Sequence, residues 1–264
     1  MDEFDADWPV VGMVHLPALP GSPGFGSRQA VRERALADAR ALEAGGVDAL
    51  MVENFGDAPF YPEDVPKHVV AEMATLARDL RREVDLPLGV NVLRNDAEAA
   101  LSVAAAAGGS FVRVNVHVGA RATDQGVVEG RAHETMRLRE RLDTDVAVFT
   151  DVAVKHSAPV ADRPLGEEFR EVVERGLADA VVVSGPSTGE AAAEADLARA
   201  AELGAEAGVP VFVGSGVTRD TVETVVECAD GAIVGTALKE DGETTNPVDE
   251  ERVRALVDRV AELQ

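Results

Sequence analysis

At 264 residues, 46% hydrophobic and 28% charged, the chain can bury a sizeable core and falls outside the disordered class. A formal net charge of −23 repels phosphate backbones and anionic head groups, which argues against nucleic acid and membrane surfaces as partners. The single cysteine, Cys228, rules out an internal disulfide, and the acidic N-terminus is unlike a basic signal peptide, so a reducing, cytoplasmic setting is expected.

In chain order, short Val-rich runs alternate with longer Ala/Leu/Glu/Arg segments. The predicted strands are 9–16, 49–54, 87–93, 111–116, 146–154, 180–185, 211–216 and 231–238. The predicted helices are 27–44, 66–83, 96–107, 130–142, 165–176, 190–207, 219–227 and 249–263. Nearly continuous apolar strands between amphipathic helices indicate parallel strands covered on their outer face. Ser27, Asp96 and Thr218 are placed to cap the helices that follow them. Glycines at 45–46, 108–109, 176, 208 and 231 fall where a helix gives way to the next strand. Eight such units, with no linker, predict a single (β/α)8 barrel (a TIM barrel) spanning residues 1–264, a fold that needs roughly 250 residues. Aromatics are only 4% of the chain, so Val, Ala and Leu are expected to fill most of the core. No apolar run reaches the ~18–20 residues of a membrane span.

The loops after the first, second and fourth strands are long, whereas those entering the strands are mostly short. In a barrel this marks the C-terminal face as the functional end. Side chains alternate along a strand, so one parity faces the interior. That parity carries His15 on the first strand, Glu53 on the second and Asn91 on the third. It continues with Arg113, Asn115 and His117 on the fourth and with Asp151 and Lys155 on the fifth. Polar groups inside a barrel are costly unless paired or solvated at the mouth. The set therefore reads either as an ion-paired cross-link of Glu53, Arg113 and Asp151 or as a catalytic constellation of Lys155, Glu53, Asp151, His15, Arg113, Asn115 and Asn91. Only three lysines occur, and two of them, Lys155 and Lys239, fall at predicted strand ends.

The last three strands offer glycines and hydroxyls instead. Ser184 and Gly185 end the sixth strand, with Pro186, Ser187, Thr188 and Gly189 beyond; Gly214, Ser215 and Gly216 end the seventh; Gly235 and Thr236 lie on the eighth. Glycine lets a phosphate approach the backbone, and the loops after the last two strands of a barrel are a recurrent phosphate site. A small phosphorylated molecule is the expected ligand. No metal-binding spacing is present, and no cofactor is specified.

The segments 11–23, 51–57, 89–96, 113–116, 123–126, 155–156 and 214–217 together resemble the BtpA/SgcQ family over nearly the whole chain. The resemblance implies a phosphate-binding barrel; the family's name refers to photosystem I accumulation, a phenotype rather than a reaction. The expected function is an enzyme handling a phosphorylated metabolite by isomerase, lyase or transferase chemistry. A flavin- or nucleotide-binding barrel and a non-catalytic biogenesis factor are the alternatives; homo-oligomers fit each of them.

The 48 acidic residues and three lysines resemble the surface of proteins from a salt-rich cytoplasm. Unscreened repulsion among these carboxylates should destabilise the fold in dilute buffer. The melting temperature is therefore expected to rise steadily from dilute buffer to molar potassium chloride, and a flat response would contradict a salt-adapted coat.

Overall fold

The computed structural model describes residues 4–161, 163–185 and 188–264. Pro186 and Ser187, two members of the predicted hydroxyl-rich segment, lie outside the described residues, as does the acidic start of the chain at residues 1–3.

The strands and helices, named in chain order, are β1 (Val10–His15), α1 (Arg28–Gly45), β2 (Ala49–Glu53), α2 (Lys67–Glu83), β3 (Leu88–Asn91), α3 (Ala97–Ala107), β4 (Phe111–Val114), β5 (Ala120–Thr123), β6 (Gly126–Glu129), α4 (Ala132–Arg141), β7 (Ala147–Val152), β8 (Ser157–Pro159), α5 (Leu165–Arg170), β9 (Ala180–Val183), α6 (Glu194–Ala207), β10 (Val211–Val213), α7 (Val222–Cys228), β11 (Gly231–Val234) and α8 (Glu250–Leu263). Eight of the strands close into a parallel barrel in the order β1-β11-β10-β9-β7-β4-β3-β2, with helices between them. The protein is a TIM barrel. No helix among the described residues is long and apolar enough to cross a membrane.

Two faces of each strand are buried for different reasons. One face packs against the helices, in a core of Val, Ala and Leu that includes Val52, Val90, Leu101, Val148 and Val181. The other faces the barrel interior, where Val11, Met13, Ala49, Met51, Phe111, Phe149, Val182, Phe212 and Ile233 meet Phe4 from the N-terminal segment. Aromatics, scarce in the chain, thus concentrate at one point. Phe4 plugs the barrel with its ring centroid 5.5 Å from Phe111, 6.2 Å from Phe149 and 6.0 Å from Phe212. The small residues on neighbouring strands make room for these rings. A methyl group at Gly89 would stand 2.3 Å from Phe111.

The predicted strands extend too far at their C-terminal ends. The ladder stops at Val114, Val152, Val183, Val213 and Val234, and the residues beyond turn into the mouth. Ala153 has φ 52°, which ends β7 before Lys155, so the alternation argument that placed Lys155 on the strand fails. The predicted loop at 117–129 contains the hairpin β5–β6, and β5 also pairs with β8 from the segment after β7. Its underside buries Val128 with Val116 and Val154. Ser27 and Asp96 cap α1 and α3 as expected, accepting from the N–H groups of Ala30 and Ala99. Thr218 does not cap a helix; its hydroxyl accepts from Asp220 and Thr221 N–H and shapes the turn before α7.

His117, expected in the interior, and Lys239, expected at a strand end, both serve the scaffold. His117 lies past the end of β4, and its Nε2 sits 2.8 Å from the carbonyl oxygen of Gly176, away from the mouth. Lys239 is fully buried and donates to the carbonyl of Met13 at 3.0 Å, with the Asp38 carboxylate at 3.4 Å. It ties β1 and α1 to the segment after β11. Its place at a predicted strand end therefore reflects structure, not the site.

Candidate functional site

A cavity of about 920 Å³ opens at the C-terminal ends of the strands. Its walls collect Arg94, Arg113, Lys155, Arg219 and Arg252 against Glu53, Asp124 and Asp220. In a chain with 48 acidic residues and 25 Lys plus Arg, this local balance runs opposite to the global one. Electrostatically, the mouth suits an anion.

The polar upper layer of the barrel is built from the inward parity just above the aromatic plug. Glu53 ends β2, where Asn91 on neighbouring β3 donates to its Oε2 at 2.7 Å. His15 ends β1 with Nε2 3.8 Å from Glu53 Oε1 and its ring 4.8 Å from that of Phe55. Burial, reinforced by the fields of Lys239 and Lys155, holds the His15 pKa well below its ordinary value, so the imidazole is neutral at neutral pH. On β4, Arg113 Nε and Nη2 donate to Asp151 at 2.8 and 3.0 Å, a bidentate pair. Asn115 donates to the same carboxylate at 2.9 Å, and Arg113 also reaches Ser184 Oγ at 3.2 Å.

These contacts divide the expected catalytic set. His15, Glu53, Arg113, Asn115 and Lys155 line the cavity, whereas Asn91 and Asp151 stand behind it and orient Glu53, Arg113 and Asn115. Of the expected cross-link only Arg113 and Asp151 pair; Glu53 is held by Asn91 and shares no hydrogen bond with them among the described residues, so the hidden members hold the exposed ones in two separate groups. Three buried atoms on lining residues, His15 Nδ1, Arg94 Nε and Asn115 Oδ1, have no partner among the described residues. Unsatisfied buried polar atoms are rare in folded proteins.

Lys155 reaches the cavity from the turn after β7. Burial lowers its pKa to about 8; the Arg113 charge pulls the same way, while Glu53 and Asp151 oppose it. Near neutral pH the amine is therefore within easy reach of either protonation state. His156, next in the chain, accepts from Thr188 N–H at 3.2 Å and joins the loop after β9 to the cavity wall.

Across the mouth, Gly214, Ser215, Gly216, Gly235 and Thr236 line the cavity as expected. Ser184 and Gly185 do not: Ser184 meets Arg113, and Gly185 N–H donates to Ser215 Oγ at 2.7 Å. Ser215 Oγ in turn donates to the Glu190 carbonyl at 2.8 Å, so its hydroxyl is committed to holding the loop. The backbone N–H groups of Ser215, Gly216 and Val217 donate to no protein acceptor among the described residues. Consecutive free N–H groups around a residue with positive φ, here Gly216 at 70°, form a concavity suited to an anion. The two glycines that read alike in sequence differ in what they border. A methyl group on Gly216 would meet the backbone of Ala191 at 2.3 Å, whereas one on Gly235 would project beside the His15 ring at 2.7 Å.

Several lining residues escape the alternation reading because they sit on loops or on α8: Phe55, Phe60, Arg94, Thr188, Arg219 and Arg252. Thr188 belongs to the hydroxyl-rich segment expected after the sixth strand, and Arg94 carried a usable signal as a basic residue directly after a strand in the segment 89–96.

A family model for the BtpA family matches residues 6–262. An uncharacterized protein of Thermococcus kodakarensis is 51% identical, covering 97% of this chain and 96% of its own. The photosystem I biogenesis protein BtpA of Synechocystis is 44% identical, covering 98% and 90%. Two solved barrels from Pyrococcus furiosus share the fold at low identity. Thiamine phosphate pyrophosphorylase aligns with a TM-score of 0.60 at 16% identity over 97% of this chain and 96% of its own. N-(5'-phosphoribosyl)anthranilate isomerase aligns with a TM-score of 0.60 at 14% identity over 97% and 99%. The family match spans every barrel strand and every residue that lines the cavity, and the chain belongs to the BtpA family.

Proposed function

We propose that this protein is an enzyme acting on a small phosphorylated metabolite, with isomerase, lyase or transferase chemistry of the sugar-phosphate type. The observation that carries the reading is the pairing, across one cavity, of unengaged backbone N–H groups at Ser215–Val217 with a lysine whose pKa is about 8. The first suits a phosphate, and the second suits proton transfer or attack on a carbonyl. Both named structural neighbours handle phosphorylated small molecules by their titles, in line with this assignment.

In this reading the loops after β10 and β11 anchor the phosphate, so that binding energy from a non-reacting group positions the reacting one. Glu53, fixed by Asn91, is the base; Lys155 is the acid, base or nucleophile; and neutral His15 is a hydrogen-bonding partner. General acid–base groups of this kind contribute about 10²–10⁴-fold each. A biogenesis role without turnover leaves the orphaned His15 Nδ1 and Asn115 Oδ1 without a purpose.

The binding half of the proposal is tested by a metabolite screen for thermal stabilisation at fixed high salt, followed by Gly235→Val. The added side chain enters the cavity beside His15, so affinity for inorganic phosphate and for any phosphorylated hit should fall at least about tenfold, the loss expected when close backbone approach is blocked. Undiminished binding by Gly235→Val would remove phosphate from this wall. Gly216→Val is the weaker probe, because it strains the loop at Ala191 whether or not a ligand binds.

A further inference from the structure

We propose that the mouth holds a second oxyanion subsite built on Arg94, and that the phosphorylated substrate also bears a carboxylate. This deepens the reading above and rests on it. Arg94 follows β3, is 5% exposed and lines the cavity. The other deeply buried arginine at the mouth, Arg113, is neutralised by Asp151 through two hydrogen bonds. Arg121, buried outside the cavity, is paired with Glu168. Arg94 has no carboxylate within ion-pair distance among the described residues. One contact is made, from Nη2 to the carbonyl of Lys155 at 2.7 Å, and its buried Nε has no partner.

The fields of Asp151, Glu53 and Asp124 favour the Arg94 cation, but none of them pairs with it; a guanidinium removed from water without an ion-pair partner is unfavourable, and it persists where something in the working state completes it. Burial draws the Arg94 pKa down from its ordinary value, but the group stays cationic at any physiological pH. Its planar fork matches a carboxylate better than a point charge does.

Topology separates this subsite from the phosphate wall. In the closed ring, β3 lies four places from β10, so Arg94 and the N–H groups of Ser215–Val217 come from opposing strands. The two groups therefore approach the cavity from opposite sides of the ring. The hydrogen bond from Arg94 to the Lys155 carbonyl places the subsite next to the reactive amine. A substrate stretched between the two anchors would present its middle carbons to Lys155 and Glu53. Carboxylate and phosphate share oxyanion chemistry, so the test must tell them apart.

The probes are malonate and inorganic phosphate, titrated separately at constant ionic strength by calorimetry and by thermal shift, against wild type, Arg94→Gln, Arg94→Lys and Gly235→Val. Malonate affinity should fall at least tenfold in Arg94→Gln, recover in part in Arg94→Lys, and hold in Gly235→Val. Phosphate should show the reverse pattern, with the loss confined to Gly235→Val. Without added anion, Arg94→Gln should melt no lower than wild type, because it removes an unpaired buried charge. Equal malonate binding by wild type and Arg94→Gln, or no malonate binding by wild type, overturns the subsite. Loss of both probes together in Arg94→Gln, with a lowered melting temperature, also overturns it and makes Arg94 a brace for the Lys155 turn. Phosphate binding that is indifferent to Gly235→Val defeats the phosphate wall instead, while the malonate arm still stands.

Discussion

Turnover of the native substrate should fall by about three orders of magnitude or more in Lys155→Met, in the range set by loss of a nucleophile or general acid–base group. The fold should survive, because Lys155 sits on a turn at the cavity wall and not in the ladder of β7. The pH profile then separates its possible roles. With a pKa of about 8, the free amine accumulates as pH rises through 8. A Schiff-base or general-base role makes kcat/KM climb across that point, and borohydride with substrate traps a covalent adduct only in the Schiff-base case. A role in holding the phosphate as an ammonium makes affinity decline across the same point. Stability carries a linked signature. Between about 8 and the ordinary lysine value of 10.5, the unfolded chain keeps a proton that the folded protein has lost. The folded state therefore gains stability with rising pH in that window, and Lys155→Met removes its share of the gain. Lys239, lowered to about 8 chiefly by burial, supplies a parallel share that the variant leaves intact. Glu53→Gln should impair turnover as well, since an amide held by the same Asn91 cannot accept a proton. Full activity in both variants would dismiss the assignment.

The largest effect on stability is expected from Asp151→Asn. The carboxylate accepts from Arg113 twice and from Asn115 once, and both partners are buried. Neutralising it leaves the Arg113 guanidinium buried without its carboxylate, with one amide oxygen in place of two charged ones and Ser184 beside it, and loss of one partner of a buried pair costs about 3–5 kcal/mol. For a chain of this size that corresponds to a fall in melting temperature of roughly 10 °C, measured at fixed potassium chloride. Replacing both partners, as Arg113→Met with Asp151→Leu, should recover much of the loss, since apolar side chains of similar volume tolerate the same space. Ligand binding should not recover, because Arg113 faces the cavity. The double variant thus separates the network's two duties, barrel cross-link and cavity wall. An Asp151→Asn protein as stable as wild type would mean that Arg113 is solvated through the mouth and not buried with its partner.

Much of this was decided by local sequence. Nearly continuous apolar strands buried on both faces, helix caps at Ser27 and Asp96 and eight repeated units specify a parallel barrel, because each unit buries its apolar faces only when the next one stacks beside it. Alternation likewise assigned His15, Glu53, Asn91, Arg113 and Asp151 to the interior, since a residue inside a continuous strand has no choice of side. Where the strand stops, that constraint stops too. Lys155 reaches the cavity through a turn opened by the positive φ of Ala153, His117 turns away to Gly176, and Lys239 is drawn beneath the loop to Asp38. None of these follows from spacing: Lys155 depends on a backbone turn, and His117 and Lys239 depend on acceptors contributed by distant elements. The same holds for the difference between Gly216, which clears the Ala191 backbone, and Gly235, which clears the cavity. Arg94 is the sharpest case: its sequence neighbours show a basic residue after a strand, and only the closed ring shows a buried cation with no ion-pair partner among the described residues.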